Sequence, residues 1–142
     1  MSDTPAISKP DTISIVVRTL IAAVGATAIN NLYSLAYTAI TGVSIPEVIN
    51  PVSVSIFSVA PVIVGGLIYW IASRFSVRVA NIGLLIGTIV VTILMTIPSF
   101  GETIQTPGGT YPAPDGFAGL SVGLHVAGPL LLLLLVPKWK DR

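Results

Sequence analysis

Four apolar stretches, at residues 19–41, 52–73, 77–98 and 117–136, set the terms for anything this chain can fold into. Each holds about twenty residues, enough at about 1.5 Å per helical residue to cross the roughly 30 Å hydrocarbon core of a bilayer. Lipid offers no hydrogen-bond partner to a backbone N–H or C=O. A segment inside it must therefore bond to itself as a helix or close into a barrel. These stretches are about twice the length of a barrel strand and lack its strict alternation. The expected fold is thus all-α: a four-transmembrane-helix membrane bundle. The rest of the chain agrees, since only 9% of its 142 residues are charged, against about 25% in soluble domains. That is too little charge to clothe a small core in water.

The first stretch contains Ala26-Thr27-Ala28, which looks like a signal-peptidase site. Apolar sequence runs on past it through Ile29, Leu32, Leu35 and Ile40, so the reading is an uncleaved helix. Ile13 to Val17 can extend that helix, with Arg18 snorkelling to the headgroups. Residues 1–12 are polar, contain Pro5 and Pro10, and read as a mobile tail; residues 13–142 read as one domain.

Charge placement predicts orientation. Lys9 and Arg18 precede the first span, Arg74 and Arg78 lie between the second and third, and Lys138, Lys140 and Arg142 follow the fourth. Those are all seven basic residues, and an even number of crossings puts them on one side. Glu47, Glu102 and Asp115 fall on the other. The positive-inside rule then places both termini in the cytoplasm, in an inner or plasma membrane. Tyr69, Trp70 and Trp139 fall at the inner interface, where amphipathic rings prefer to sit. The short link at residues 73–76 makes spans two and three antiparallel neighbours. The outer loop at residues 99–116, rich in proline and glycine, carries turn signals at Pro107-Gly108-Gly109 and Pro112-Ala113-Pro114. A shorter connection, residues 42–51, holds Pro46 and Pro51.

Small residues recur at helical spacing: Gly83 and Gly87, Gly119 and Gly123 (then Ala127), Ala22 and Ala26, and Gly65 beside Gly66. A four-residue spacing puts each set on one helix face, where backbones can approach closely. That closeness serves either packing within the bundle or docking of another subunit. Pro61 and Pro129 lie near mid-span and predict kinks, while Pro98 is expected to close the third helix.

Few residues in the spans are costly in hydrocarbon. Asn30 and Asn31 in the first, and His125 in the fourth, fall at comparable depth and form a candidate ligand-binding or interhelical polar cluster. Tyr33, Tyr37, Ser34, Ser58, Thr88 and Thr92 add hydroxyls. His125 can act as a proton relay, an axial ligand to haem or a chlorophyll-type pigment, or a neutral imidazole holding helices in register. Ligation would need a flat apolar cleft, to which Gly123 and Gly128 can contribute. No Asp, Glu, Lys or Arg lies at the centre of a span, where ion-coupled pumps place an ionisable group, so only His125 could serve. With no cysteine and one histidine, the chain is poorly supplied for a metal site. It carries no nucleophile–base arrangement and no phosphate-cradling loop. Its basic residues are spread along one membrane face and do not point to nucleic acid, although they suit anionic lipid.

The arrangement resembles a family of small bacterial four-helix membrane proteins of unknown function. The resemblance covers residues 18–137 and is carried by Asn30 or Asn31, Gly65-Gly66 with Trp70, Pro98, and the run Leu124-His125-Val126-Ala127-Gly128. Departures are the long loop at residues 99–116 and Pro129. It implies a fold and no activity or cofactor. The function expected is that of a non-enzymatic integral membrane protein, an accessory or structural subunit that packs with other membrane proteins or with itself. The alternatives are a binder of a hydrophobic ligand or cofactor through His125, and a small transporter or channel subunit.

Overall fold

The computed structural model describes residues 11–45, 48–106 and 109–137. The tail at residues 1–10, Pro46, Glu47, the Pro107-Gly108 turn, Lys138, Trp139, Lys140 and Arg142 lie outside the described residues. Four helices long and apolar enough to cross a membrane are present among them. The chain is a multi-pass membrane protein.

Local chemistry sets the helix ends. Helix α1, Thr12–Thr41, starts earlier than its apolar run because the Asp11 carboxylate accepts from the Ile13 N–H and caps it. It stops at Gly42, whose φ of 74° is open to glycine at little cost. Helix α2, Pro51–Ser73, opens with a capping box: Asn50 accepts from the Val52 and Ser53 N–H groups, and the Ser53 hydroxyl accepts from the Asn50 N–H. Helix α3, Val77–Thr96, is capped by Ser76, which accepts from the Val79 N–H. A 3-10 turn, Ile97–Phe100, continues it, so Pro98 lies inside that turn and not at the close of the α-helix. Strands β1, Thr103–Thr106, and β2, Gly109–Pro112, form an antiparallel hairpin with Thr103 opposite Pro112. Helix α4, Phe117–Leu135, begins after Gly116, again in the left-handed region at φ 85°.

Helix α1 packs against α2 and α4, α3 packs against the same two, and α2 also touches α4. We call the end holding Thr12, the α2–α3 turn and the last turn of α4 the near end. The centre is built from small side chains: Ala22, Ala23 and Ala26 of α1 are all buried, with Val62, Tyr69, Ala80, Leu84 and Leu132 around them. Large side chains such as Leu32, Leu35, Phe57, Phe75 and Leu134 point outward. Water would penalise so much exposed apolar surface, whereas hydrocarbon solvates it.

Close approach depends on glycine at specific points. An added Cβ on Gly66 would run into the Thr19 side chain, with Thr19 Cβ at 2.9 Å. Thr19 cannot yield, because it is buried and its hydroxyl donates to the Ile15 carbonyl at 2.8 Å. Gly119 and Gly123 seat the rings of Tyr37 and Tyr33, and Gly128 faces Val62 at 3.2 Å. Gly83 and Gly87 meet no neighbour within 4 Å. The small-residue face of α3 is therefore open, unlike those of α1 and α4.

Gly66→Ala is expected to lower the unfolding free energy in detergent by about 1–3 kcal/mol through overpacking against Thr19. Gly83→Ala should leave it unchanged. A denaturation series on the two variants compares them directly, and equal losses would contradict this account of the α1–α2 contact.

Candidate functional site

The mid-depth polar residues are organised around Asn30. Its side chain is 3% exposed. Its Nδ2 donates to Ser58 Oγ of α2 at 2.8 Å and to the Leu124 carbonyl of α4 at 2.9 Å. Ser58 in turn donates to the Val54 carbonyl at 2.6 Å. One amide thus ties three helices together. The carbonyl at Leu124 fixes which amide atom is the nitrogen, since only a donor suits that position. The oxygen, Oδ1, is buried and has no partner among the described residues. Asn31 is half-buried and turned to another side: its Nδ2 donates to its own helix at the Thr27 carbonyl, 2.9 Å, and to Ser55 Oγ at 3.2 Å.

His125 bonds to neither asparagine. Its Nδ1 lies 2.7 Å from the Ser121 carbonyl one turn earlier. A carbonyl only accepts, so Nδ1 is the donor of this bond. The Asn30 amide reaches α4 through the backbone of Leu124, the residue before His125. Successive helical residues lie about 100° apart around the axis, so the imidazole points elsewhere. Its surroundings are the Ser121 hydroxyl, 3.4 Å from Nδ1, and Ser99 of the 3-10 turn, whose Oγ lies 2.6 Å from Ser121 Oγ. Thr92 Oγ1 of α3 is buried without a partner among the described residues. The expected single cluster is therefore two: a three-helix knot at Asn30, and a serine–histidine chain between α4 and the end of α3.

The glycines expected to flank a cofactor face at His125 are occupied. Gly123 holds Tyr33, and Gly128 lies against Val62 and Ala26. A cleft of about 230 Å³ lies elsewhere, between α2, α3 and α4. Gly65, Gly83, Gly87 and Thr88 line it together with Pro61 and Pro129. Each proline lacks an N–H, so the Phe57 and His125 carbonyls lose their helical donors there. Among the described residues, no three His, Asp or Glu side chains converge on a point where they could hold a metal.

Ser99, Ser121 and Ser55 were not singled out in the sequence reading. The spacing of Ser121 and His125, one helical turn apart, is the only signal that points to any of them. Tyr33 and Tyr37 prove to be clamps: their hydroxyls donate to the Gly119 and Gly116 carbonyls, both at 2.8 Å. Comparison with family models, with curated proteins and with solved structures returned no match.

Asn30→Leu is expected to cost about 0.6–1.7 kcal/mol, between the average and the largest interhelical hydrogen bond measured inside membranes. Asn31→Leu should cost less, since one of its two bonds stays within α1. Detergent unfolding of both variants gives the ranking, and the reverse order would remove Asn30 from the centre of the fold.

Proposed function

We propose that this chain is a non-enzymatic integral membrane protein that serves as an accessory or structural subunit, packing through α3 against another membrane protein or a second copy. The observation that carries the reading is the open Gly83–Gly87 face. Among the described residues nothing lies within 4 Å of a Cβ placed at either glycine, and both line the cleft between α2, α3 and α4. The other small-residue faces are filled by the bundle's own side chains. A helix laid along Gly83 and Gly87 would gain the close backbone contact that drives association in lipid. The mid-depth amide nitrogens of Asn30 and Asn31 are meanwhile committed to bonds within the fold, which supports a packing role over transport.

Both termini are proposed to be cytoplasmic, in an inner or plasma membrane, on the strength of the one-sided basic residues. A reporter fused after Arg142 should be active only in its cytoplasmic form. Mild-detergent extraction from native membranes followed by mass determination should yield an assembly larger than the single chain. Gly83→Leu with Gly87→Leu should release the monomer. A lone monomer from the unaltered chain would end the subunit reading.

A second reading, ligation of haem or a chlorophyll-type pigment by His125, is supported by one feature. The His125 Nδ1 donates to the Ser121 carbonyl, the bond that the second ring nitrogen makes in metal-ligating histidines. The occupied faces of Gly123 and Gly128 weigh against it. Natively purified protein would then show a visible absorption band that His125→Ala abolishes. A colourless preparation removes this reading.

A further inference from the structure

At the near end, Arg74 is positioned by Thr12 and Trp70 and has no anionic partner among the described residues. Its Nη2 donates to Thr12 Oγ1 at 2.6 Å, and its guanidinium lies 4.9 Å from the centroid of the Trp70 ring. Trp70 Nε1 donates to the same Thr12 oxygen at 3.3 Å. The first residue of α1 and the end of α2 are thereby joined through one hydroxyl, which accepts both bonds. Arg74 is exposed, and its remaining N–H groups are not engaged among the described residues. Neither Arg74, Arg18 nor Arg78 forms an ion pair there. Asp11, the carboxylate of this end, is turned onto the Ile13 N–H as the α1 cap. Three arginines therefore face one aspartate among the described residues of this end.

We propose that the Thr12–Trp70–Arg74 cluster is a headgroup site for an anionic phospholipid. The site lies where two membrane-spanning helices end, one starting at Thr12 and the other ending at Ser73, and this is the depth of the lipid phosphates. Phosphate is the anion available at that depth, and a guanidinium matches its geometry with paired N–H donors. Stacking on Trp70 and the bond to Thr12 hold the fork in place before a lipid arrives, which lowers the entropy lost on binding. The excess of arginine at this end selects a lipid with net negative charge over a zwitterionic one, whose cationic group it repels. The site is independent of the subunit reading, since it uses α1 and α2 and leaves the Gly83–Gly87 face untouched.

The test is native mass spectrometry of the full chain in mild detergent. It is titrated with phosphatidylglycerol or with phosphatidylcholine of the same acyl chains. The expected result is a roughly fivefold preference for phosphatidylglycerol, which Arg74→Gln removes. Arg74→Lys should restore it only in part, because an ammonium neither stacks on Trp70 in the same way nor forks onto phosphate. Thr12→Val keeps every charge and covers the case of an unstable Arg74→Gln. Weaker phosphatidylglycerol binding in it supports the site, and unchanged binding overturns it. Equal binding of the two lipids would also overturn it. So would displacement of phosphatidylglycerol by equimolar inorganic phosphate, or a lipid-free dimer that Arg74→Gln abolishes.

Discussion

Everything in this bundle depends on how closely α1 can approach α2 and α4. Inside a bilayer, lipid tails are as apolar as leucine, so burying a large side chain between helices gains little. Dispersion and hydrogen bonding remain, and both need short distances. Ala22, Ala23 and Ala26 on α1 and Gly66 and Gly128 on its neighbours supply those distances. The bulky residues are left to meet lipid. Once the backbones are this close, a short side chain such as Asn30 can reach a serine on one helix and a carbonyl on another at the same time. The polar knot follows from the alanine–glycine contact and then locks its register.

The same argument explains why the two asparagines differ. Residues 30 and 31 are neighbours in sequence, yet about 100° of helical rotation separates them. One enters the three-helix contact, and the other is half-buried, bonded to its own helix and to Ser55 of α2. His125 is separated from Leu124 in the same way, so the helix face that receives Asn30 is not the one that presents the imidazole. The two prolines inside helices, Pro61 and Pro129, both border the cleft. Interrupted helical hydrogen bonding and open volume therefore occur in the same part of the bundle.

The four spans were legible because length and apolarity act on every residue of a segment at once, and no tertiary detail reverses them. The start of α1 was less so. Thr12 to Arg18 are mixed in polarity, and the helix there depends on a single cap from Asp11. The hairpin strands were read only as turn and extended signals, since each is four residues long, too short for an alternation to show, and the pairing supplies the order. Within the site, Asn30, Asn31 and His125 stood out by their cost in hydrocarbon. Which of them touch depends on rotation about each helix axis, and that is set by packing. Gly83 and Gly119 have the same spacing pattern in sequence. Only the fold separates them, because a tyrosine fills one and nothing fills the other.

The hairpin between α3 and α4 changes how those helices are tethered. The Ala113 N–H donates to the Glu102 carbonyl at 2.9 Å, and Thr103 is paired with Pro112. Residues at the two ends of the excursion are thus pinned together, and the strands between them add no slack. For chain statistics the joint behaves as two brief hinges, one on each side of the clip. The entropy lost in holding α3 and α4 together grows only with the logarithm of free length, and here little free length remains. Residues inserted at the tip of such a clip would lengthen the chain without loosening the helices it joins.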